Sequence, residues 1–398
     1  MQVLKARGTM MAGQTAVFLG AGIHTSLGKG IDSNLQALRQ APTPPATYSV
    51  KVGGDQLNLP YKLLTGSPAQ LSSKKTPETF YRIISDVAEE ALTEAGLSQQ
   101  QRQRMGLYVG SSSFDISISE GLFQQQLAAG ETALALGDPS VGKLADYLVQ
   151  TMGFRGEDFS FNTACTASAN ALLTATAHVQ AGLVEHALVL GFELHNDLTT
   201  LGFYGLDLFS RTEMKPFDSS RDGMVLGEGV SALVIGPAPD DGLPRFYLRG
   251  GANLSDTFSI TTTNPDGTAI AAVMEQALAN SAIDTGQINA LKVHGTSSLS
   301  NDESEALGMQ LIFPQLPKLC ALKPYLGHTL GACGLNELIL FYRAIEAGFL
   351  VATPGISATP GDLNVTLNQQ RDVMGPGNFM LNYFGFGGNN TSLIISNL

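Results

Sequence analysis

The chain has 398 residues, 43% of them hydrophobic, enough to bury one large core or two fused ones. A net charge of −12 disfavours nucleic acid and anionic membranes as bulk partners, so an acidic partner needs a local basic patch. Three widely spaced cysteines, Cys165, Cys320 and Cys333, argue against a disulfide framework and against a CxxC metal site, and no metal is expected.

No run supplies 18 uninterrupted apolar residues, and the opening MQVLKARGTMMAGQ has no apolar stretch after Lys5 and Arg7. The expectation is a cytoplasmic protein with reduced thiols. In chain order, short β-branched or Leu-rich runs read as strands: AVFLGAG (16–22), LYVGSSS (107–113), HALVLGFEL (186–194), SALVIG (231–236), ALKVHGT (290–296) and SLIISN (392–397). Between them lie helical patterns such as ETFYRIISDVAEEALTEAG (78–96), apolar at three- and four-residue spacing and closed by a C-cap glycine. GAGIHTSLGKG (20–30) is a strand and turn and not a dinucleotide loop, because GxGxxG wants glycine where Thr25 stands. The alternation predicts an α/β fold with both sheet faces covered.

The two halves end alike, GEGVSALVI (227–235) being echoed by GFGGNNTSLII (385–395). TASANALLTATAHVQAG (166–182) and HTLGACGLNELILFYRAIEAG (328–348) are both rich in Ala and Gly, a composition that lets helices pack closely. Two similar halves follow, 15–240 and 241–398 after an extension of residues 1–14, joined near the Pro/Gly/Asp-rich GPAPDDGLPR (236–245).

Cys165 stands between strand-like DFSFN and the first of those helices, where unpaired N–H groups and the dipole favour a thiolate and are expected to lower its pKa. Taken alone, a buried structural cysteine fits as well. His294, ending a strand in VHGTSSLSND, and His328, in the Gly-rich turn LKPYLGHTLGACG, occupy positions where α/β proteins keep their chemistry. His178, His186 and His195 read as structural.

TACTASAN, KPFDSSRDGMVLGEGV (215–230), HGTSSLSNDESEA (294–306), LKPYLGHTLGACG (322–334) and NYFGFGGNN (382–390) occur in the order found in one family. With these five motifs the chain resembles the β-ketoacyl synthases of the thiolase superfamily, in particular the type II elongating enzymes that act on acyl carrier protein. The resemblance runs from residue 16 to the C-terminus and implies the thiolase-like fold, two α/β halves in a five-layered α-β-α-β-α core.

The resemblance makes Cys165 the acyl-accepting nucleophile and His294 and His328 the donors that stabilise the enolate formed as malonyl-acyl carrier protein loses CO₂. It implies an oxyanion hole from the N–H groups of Cys165 and Phe386, with Phe386 and Gly387 in the gating loop, and an ion pair of Lys323 with Glu305. It places Phe384 in the substrate pocket and Phe114 and Ile116 at a pocket floor built partly by a partner subunit. Lys74, Lys75 and Lys215 resemble a carrier-docking patch. No cofactor is implied, since substrates ride on the carrier's phosphopantetheine arm; the implied partners are acyl carrier protein and a second copy or a related ketosynthase-like chain.

HGTSS stands where HGTGT is commoner, and Asn389 where threonine is usual. Two other readings remain: a chain-length factor, which normally lacks the nucleophile, and a Cys/His thioester hydrolase, which would pair one histidine with Asn or Asp.

Overall fold

The expected apolar runs become strands because each finds cover on both faces. The computed structural model describes residues 15–64, 76–131 and 143–397. The first half contributes β1 (Ala16–Thr25), β2 (Gly106–Gly110), β3 (Asp158–Phe161), β4 (Ala187–Glu193) and β5 (Gly229–Pro237). From the second half come β6 (Tyr247–Ser255), β7 (Ile288–Lys292), β8 (Lys318–Cys320), β9 (Asn378–Phe384) and β10 (Asn389–Ser396). β2, β4 and β9 are buried at every residue, which explains their unbroken apolar character.

The two halves share one topology. Strand order is β3-β2-β4-β5-β1 in the first and β8-β7-β9-β10-β6 in the second. In each, three strands run parallel and the last two add antiparallel. The halves meet edge to edge at β1 and β6, through the register pair Val17–Tyr247 and a 2.8 Å bond from Phe18 N–H to the Phe246 carbonyl.

Helices fill the remaining layers: α1 (Pro77–Ala95), α2 (Ile116–Ala128), α3 (Ala167–Gln180), α4 (Asp197–Gly205), α5 (Thr268–Ser281), α6 (Leu299–Ile312) and α7 (Cys333–Glu346). α1 covers the outer face of the first sheet half and α5 that of the second, with α6 packed on α5. α3 and α7 lie between the sheet halves and complete five layers. The thiolase-like fold is therefore present as expected.

α1 starts at Thr76, whose side chain accepts the Thr79 N–H, and ends at Gly96 with φ 64°. It rests directly on β1: a Cβ at Gly20 would lie 2.3 Å from the Ala91 carbonyl oxygen, and one at Gly22 2.1 Å from that of Val87. The glycines of GAG thus serve helix–sheet approach. The sequence reading has no element between residues 30 and 78, yet the structure has a helix, Ile31–Leu38, and a hairpin, Ala46–Val52 with Asp55–Lys62. No described helix is long and apolar enough to cross a membrane.

The centre is the most tightly built part. α7 is buried at nearly every position, as a helix wrapped by other elements must be. At Gly334 an added Cβ would lie 2.4 Å from the Ala169 nitrogen and 2.9 Å from its Cβ on α3. Gly334→Ala is expected to destabilise the protein by ~1–3 kcal/mol, the usual cost of overpacking, despite the better helix propensity of alanine. Urea titration checks this, and an unchanged midpoint would mean that the two central helices separate freely.

Candidate active site

β3 ends at Phe161, and after Ala164, held at φ 50°, the chain makes one 3₁₀ turn, Ala164–Thr166, before α3 begins. Cys165 lies in that turn and lines a small cavity together with His294, His328, Phe384 and Phe386. The loop is tied across the two halves. Thr166 Oγ1 lies 2.6 Å from Asn389 Oδ1, which also accepts from Asn170 Nδ2 at 2.9 Å and Asn253 Nδ2 at 2.6 Å. Asn389, a departure from the family spelling, here ties the nucleophile turn to the glycine-rich C-terminal loop.

The expected low thiol pKa is not found. Burial pushes the Cys165 thiol up to about 11, outweighing the Lys323 ammonium and the N–H groups of Phe386 and Cys165 itself, which pull it down. Cys165 precedes the helix proper and is 5% exposed, so loss of water dominates over the dipole. Both N–H groups favour the thiolate, which puts them near the place where a tetrahedral oxyanion would form beside the sulfur.

β7 delivers His294. Its N–H donates to Glu305 Oε1 at 2.7 Å and that of Gly295 to Oε2 at 2.9 Å, so Glu305, from α6, holds the turn. His328 follows the short helix Lys323–Leu326 and Gly327, at φ 72°; its N–H donates to the Val225 carbonyl at 2.7 Å. The two imidazole rings sit 5.3 Å apart, nearly perpendicular.

Their tautomers follow from their neighbours. His294 Nδ1 lies 3.3 Å from Lys323 Nζ, which can only donate when charged, and His328 Nδ1 accepts the Leu330 N–H at 3.2 Å. Each neutral ring therefore carries its proton on Nε2. Burial, then the Lys323 charge, holds both histidines well below the usual imidazole pKa, so they are neutral donors at physiological pH.

The expected Lys323–Glu305 ion pair is replaced by another. Lys323 Nζ donates to Glu337 Oε1 at 2.6 Å, while Lys292 Nζ donates to Glu337 Oε2 at 2.6 Å and to the Asn382 carbonyl at 2.8 Å. Glu305 is unavailable because both its oxygens accept backbone N–H groups; burial pushes its carboxyl up to about 7. The sequence reading missed Glu337 and Lys292. Glu337 was visible as a carboxylate in the first turns of a largely apolar helical run, four residues after Cys333 and so on the same face.

Phe384 lines the cavity 5.6 Å from the His294 ring, and Phe386 lines it while stacking on Phe203 of α4 at 5.4 Å. Gly387 has φ 78° and donates to the Ile260 carbonyl at 2.7 Å; at Gly388 a Cβ would lie 1.7 Å from the Asp256 oxygen. Phe114 and Ile116 do not line this chain's own cavity: Phe114 packs on Phe192 in the outer core, and Ile116 opens α2, half-buried. Lys215 is half-buried with its ammonium 3.6 Å from Glu213; Lys74 and Lys75 lie outside the described residues. Ser259, Thr261, Thr262, Thr263, Thr296 and Ser298 also line the cavity, and the sequence reading did not single them out.

With its thiol raised, Cys165 should react with iodoacetamide at a rate that keeps climbing toward about pH 11, and more slowly at pH 7 than a free thiol of pKa ~8.5. Peptide mass spectrometry of the Cys165 adduct reads this directly. A plateau below pH 8 would show a thiolate at rest.

Comparison with known proteins bears on the family and the fold. Family models described as Beta-ketoacyl synthase, N-terminal domain and Beta-ketoacyl synthase, C-terminal domain match residues 69–240 and 247–357. A putative mitochondrial 3-oxoacyl-[acyl-carrier-protein] synthase of Schizosaccharomyces pombe is 25% identical over 95% of this chain and 97% of its own length. Lovastatin diketide synthase of Aspergillus terreus and chloroplastic 3-oxoacyl-[acyl-carrier-protein] synthase II of Arabidopsis thaliana are each 29% identical, over 79% and 63% of this chain. The match spans only 13% and 49% of their lengths. The ketosynthase ApeO of Xenorhabdus doucetiae, solved in complex with its chain length factor ApeC, superposes with a TM-score of 0.82 at 25% identity, covering 97% of this chain and 98% of that one. A β-ketoacyl synthase from Burkholderia phymatum STM815 gives 0.82 at 24% identity, covering 97% and 100%. With matched models spanning both halves and the five motifs gathered on one cavity, the chain belongs to the β-ketoacyl synthase family.

Proposed function

We propose that this chain is an elongating β-ketoacyl-[acyl carrier protein] synthase that performs decarboxylative condensation in fatty-acid or polyketide biosynthesis. The observation that carries the reading is convergence on one cavity: the Cys165 sulfur with the Cys165 and Phe386 N–H groups, and the His294 and His328 rings whose Nδ1 atoms are already engaged. Cys165 first exchanges with an acyl thioester, forming acyl-S-Cys165 and releasing the carrier thiol, while the two N–H groups hold the tetrahedral oxyanion. Malonyl thioester then loses CO₂, and the imidazole Nε2–H groups hold the enolate oxygen. The enolate carbon attacks the acyl carbonyl, the C–S bond to Cys165 breaks, and the sulfur takes a proton.

A Cys/His hydrolase needs a histidine base oriented by Asn or Asp. Here Lys323 and a backbone N–H face the Nδ1 atoms, so neither ring is set to take a proton from the thiol. A chain-length factor would normally lack the cysteine. The partners of this reading are acyl carrier protein, which the relatives' names contain, and a second copy or related chain, as ApeO has ApeC. Three free cysteines suit the proposed cytoplasmic setting.

Cys165→Ala should abolish the acyl mass shift while malonyl thioester still loses CO₂. His294→Ala or His328→Ala should lower condensation ~10²-fold with acyl loading largely intact. Equal loss of both half-reactions in single-turnover assays would instead make the histidines bases toward the thiol.

The depressed histidine pKa values also set the pH dependence. A group with a lowered pKa protonates only below its ordinary range, so decarboxylation should stay level from pH 8 down through pH 6.5 and fall in more acidic buffer. Half-maximal activity at pH 6.5, measured by CO₂ release, would mean imidazoles open to water.

A further inference from the structure

Lys292 is a fully buried cation that the condensation chemistry leaves unused. It is the last residue of β7, two before His294, and its side chain reaches Glu337 of α7. Its Nζ takes Glu337 Oε2 at 2.6 Å, the Asn382 carbonyl at 2.8 Å, and stands 3.8 Å above the Tyr383 ring. Lys323 occupies the other oxygen of the same carboxylate and reaches 3.3 Å to His294 Nδ1. Stability does not call for this arrangement: Lys323 and Glu337 already form a pair, and a second buried ammonium on one carboxylate adds desolvation cost without a second counter-charge.

What the second lysine does provide is geometry. A glutamate carboxylate turns in a broad torsional well, so one held at a single oxygen does not fix the direction of the ammonium it binds. Held at both oxygens, Glu337 is fixed, and Lys323 with it.

We propose that Lys292 is a positioning residue for the decarboxylating half-reaction, locking Glu337 so that Lys323 stays against His294 Nδ1 and the His294 Nε2–H stays in the cavity. The assignment rests on the elongating-synthase reading. Lys292 touches no reacting atom. It acts through Glu337, Lys323 and His294, whereas the acyl-loading half depends on the backbone N–H groups of Cys165 and Phe386 and on the charge of Lys323, which a change at Lys292 leaves in place. The charged and titratable groups around His294 are Lys323 and His328 from the segment before α7, Lys292 from the end of β7, Glu305 from α6 and Glu337 from α7. Removing one positive charge from this set makes the imidazole easier to protonate.

The test uses Lys292→Met in the full chain. Expected are acyl loading of Cys165 within about twofold of the parent, and kcat for malonyl-thioester decarboxylation about tenfold lower at little-changed KM, a part of the ~10²-fold expected for losing the donor itself. The acid limb of the decarboxylation profile should move to higher pH. Glu337→Gln should show the same separation of half-reactions, and the Lys292→Met/Glu337→Gln double variant should be no slower than Glu337→Gln alone, because the two act in one chain. If Lys292→Met does not fold, the shorter polar Lys292→Gln is assayed in its place with the same expectations.

Equal loss of both half-reactions, an unmoved acid limb, multiplicative losses in the double variant, or failure of both Lys292 variants to fold would overturn the assignment and leave Lys292 a structural residue. A parent protein that loads acyl groups yet never releases CO₂ from malonyl thioester would instead overturn the elongating reading.

Discussion

Everything in this protein depends on the close crossing of two central helices from opposite halves. Each half alone delivers part of a site at the N-terminal end of its own buried helix: Cys165 before α3, His328 before α7. Chemistry requires these ends to lie side by side, and small residues permit it. Gly334 sits against Ala169, Gly331 against the backbone of Ser111 and Ser112, and the Cys333 thiol donates to the Cys165 carbonyl at 3.0 Å. The Leu335 N–H donates to Ser168 Oγ at 3.0 Å, closing the contact with a polar bond between helices.

Burial of that crossing then sets the electrostatics. With water excluded, the thiol is protonated and the imidazoles neutral, and the Lys323 ammonium favours both the thiolate in transit and the neutral rings. Carboxylates that acid–base chemistry could have used serve as anchors. Glu193 accepts the N–H groups of Ser112, Ser113 and Gly331, Glu305 those of His294 and Gly295, and Glu228 those of Leu64 and His195. Phe114, Ala164, Ser297 and Leu330 take positive φ in or beside these loops, a backbone strain that persists only where the surroundings over-determine it.

The glycine-rich C-terminal loop is built to couple with the nucleophile. Gly388 admits the Asp256 backbone, Gly387 bends back to Ile260, and Asn389 gathers Thr166, Asn170 and Asn253. Phe386 is thereby placed with its N–H favouring the Cys165 thiolate and its ring on Phe203. A shift of this loop moves the Phe386 N–H and one wall of the cavity together.

The sequence by itself determined the alternation of strands and helices and the two matching halves, because hydrophobic periodicity is a local property of the chain; the resemblance of its short motifs singled out Cys165, His294, His328, Lys323 and Phe386, which the fold brings together. It also placed the small-residue helices at the junction, since glycine and alanine runs report close approach without naming the neighbour. Tertiary structure alone decided which charges meet. The resemblance implied a pair of Lys323 with Glu305, but Glu305 is consumed by the turn it holds, and Glu337 comes from another helix together with Lys292 from a strand. The thiol pKa is of the same kind: a helix start can be read from residues 162–170, whereas the desolvation that outweighs it is the sum of groups contributed by both halves. Local pattern specifies elements and reactive groups, and partner choice and protonation state follow from long-range packing, which no window of the sequence contains.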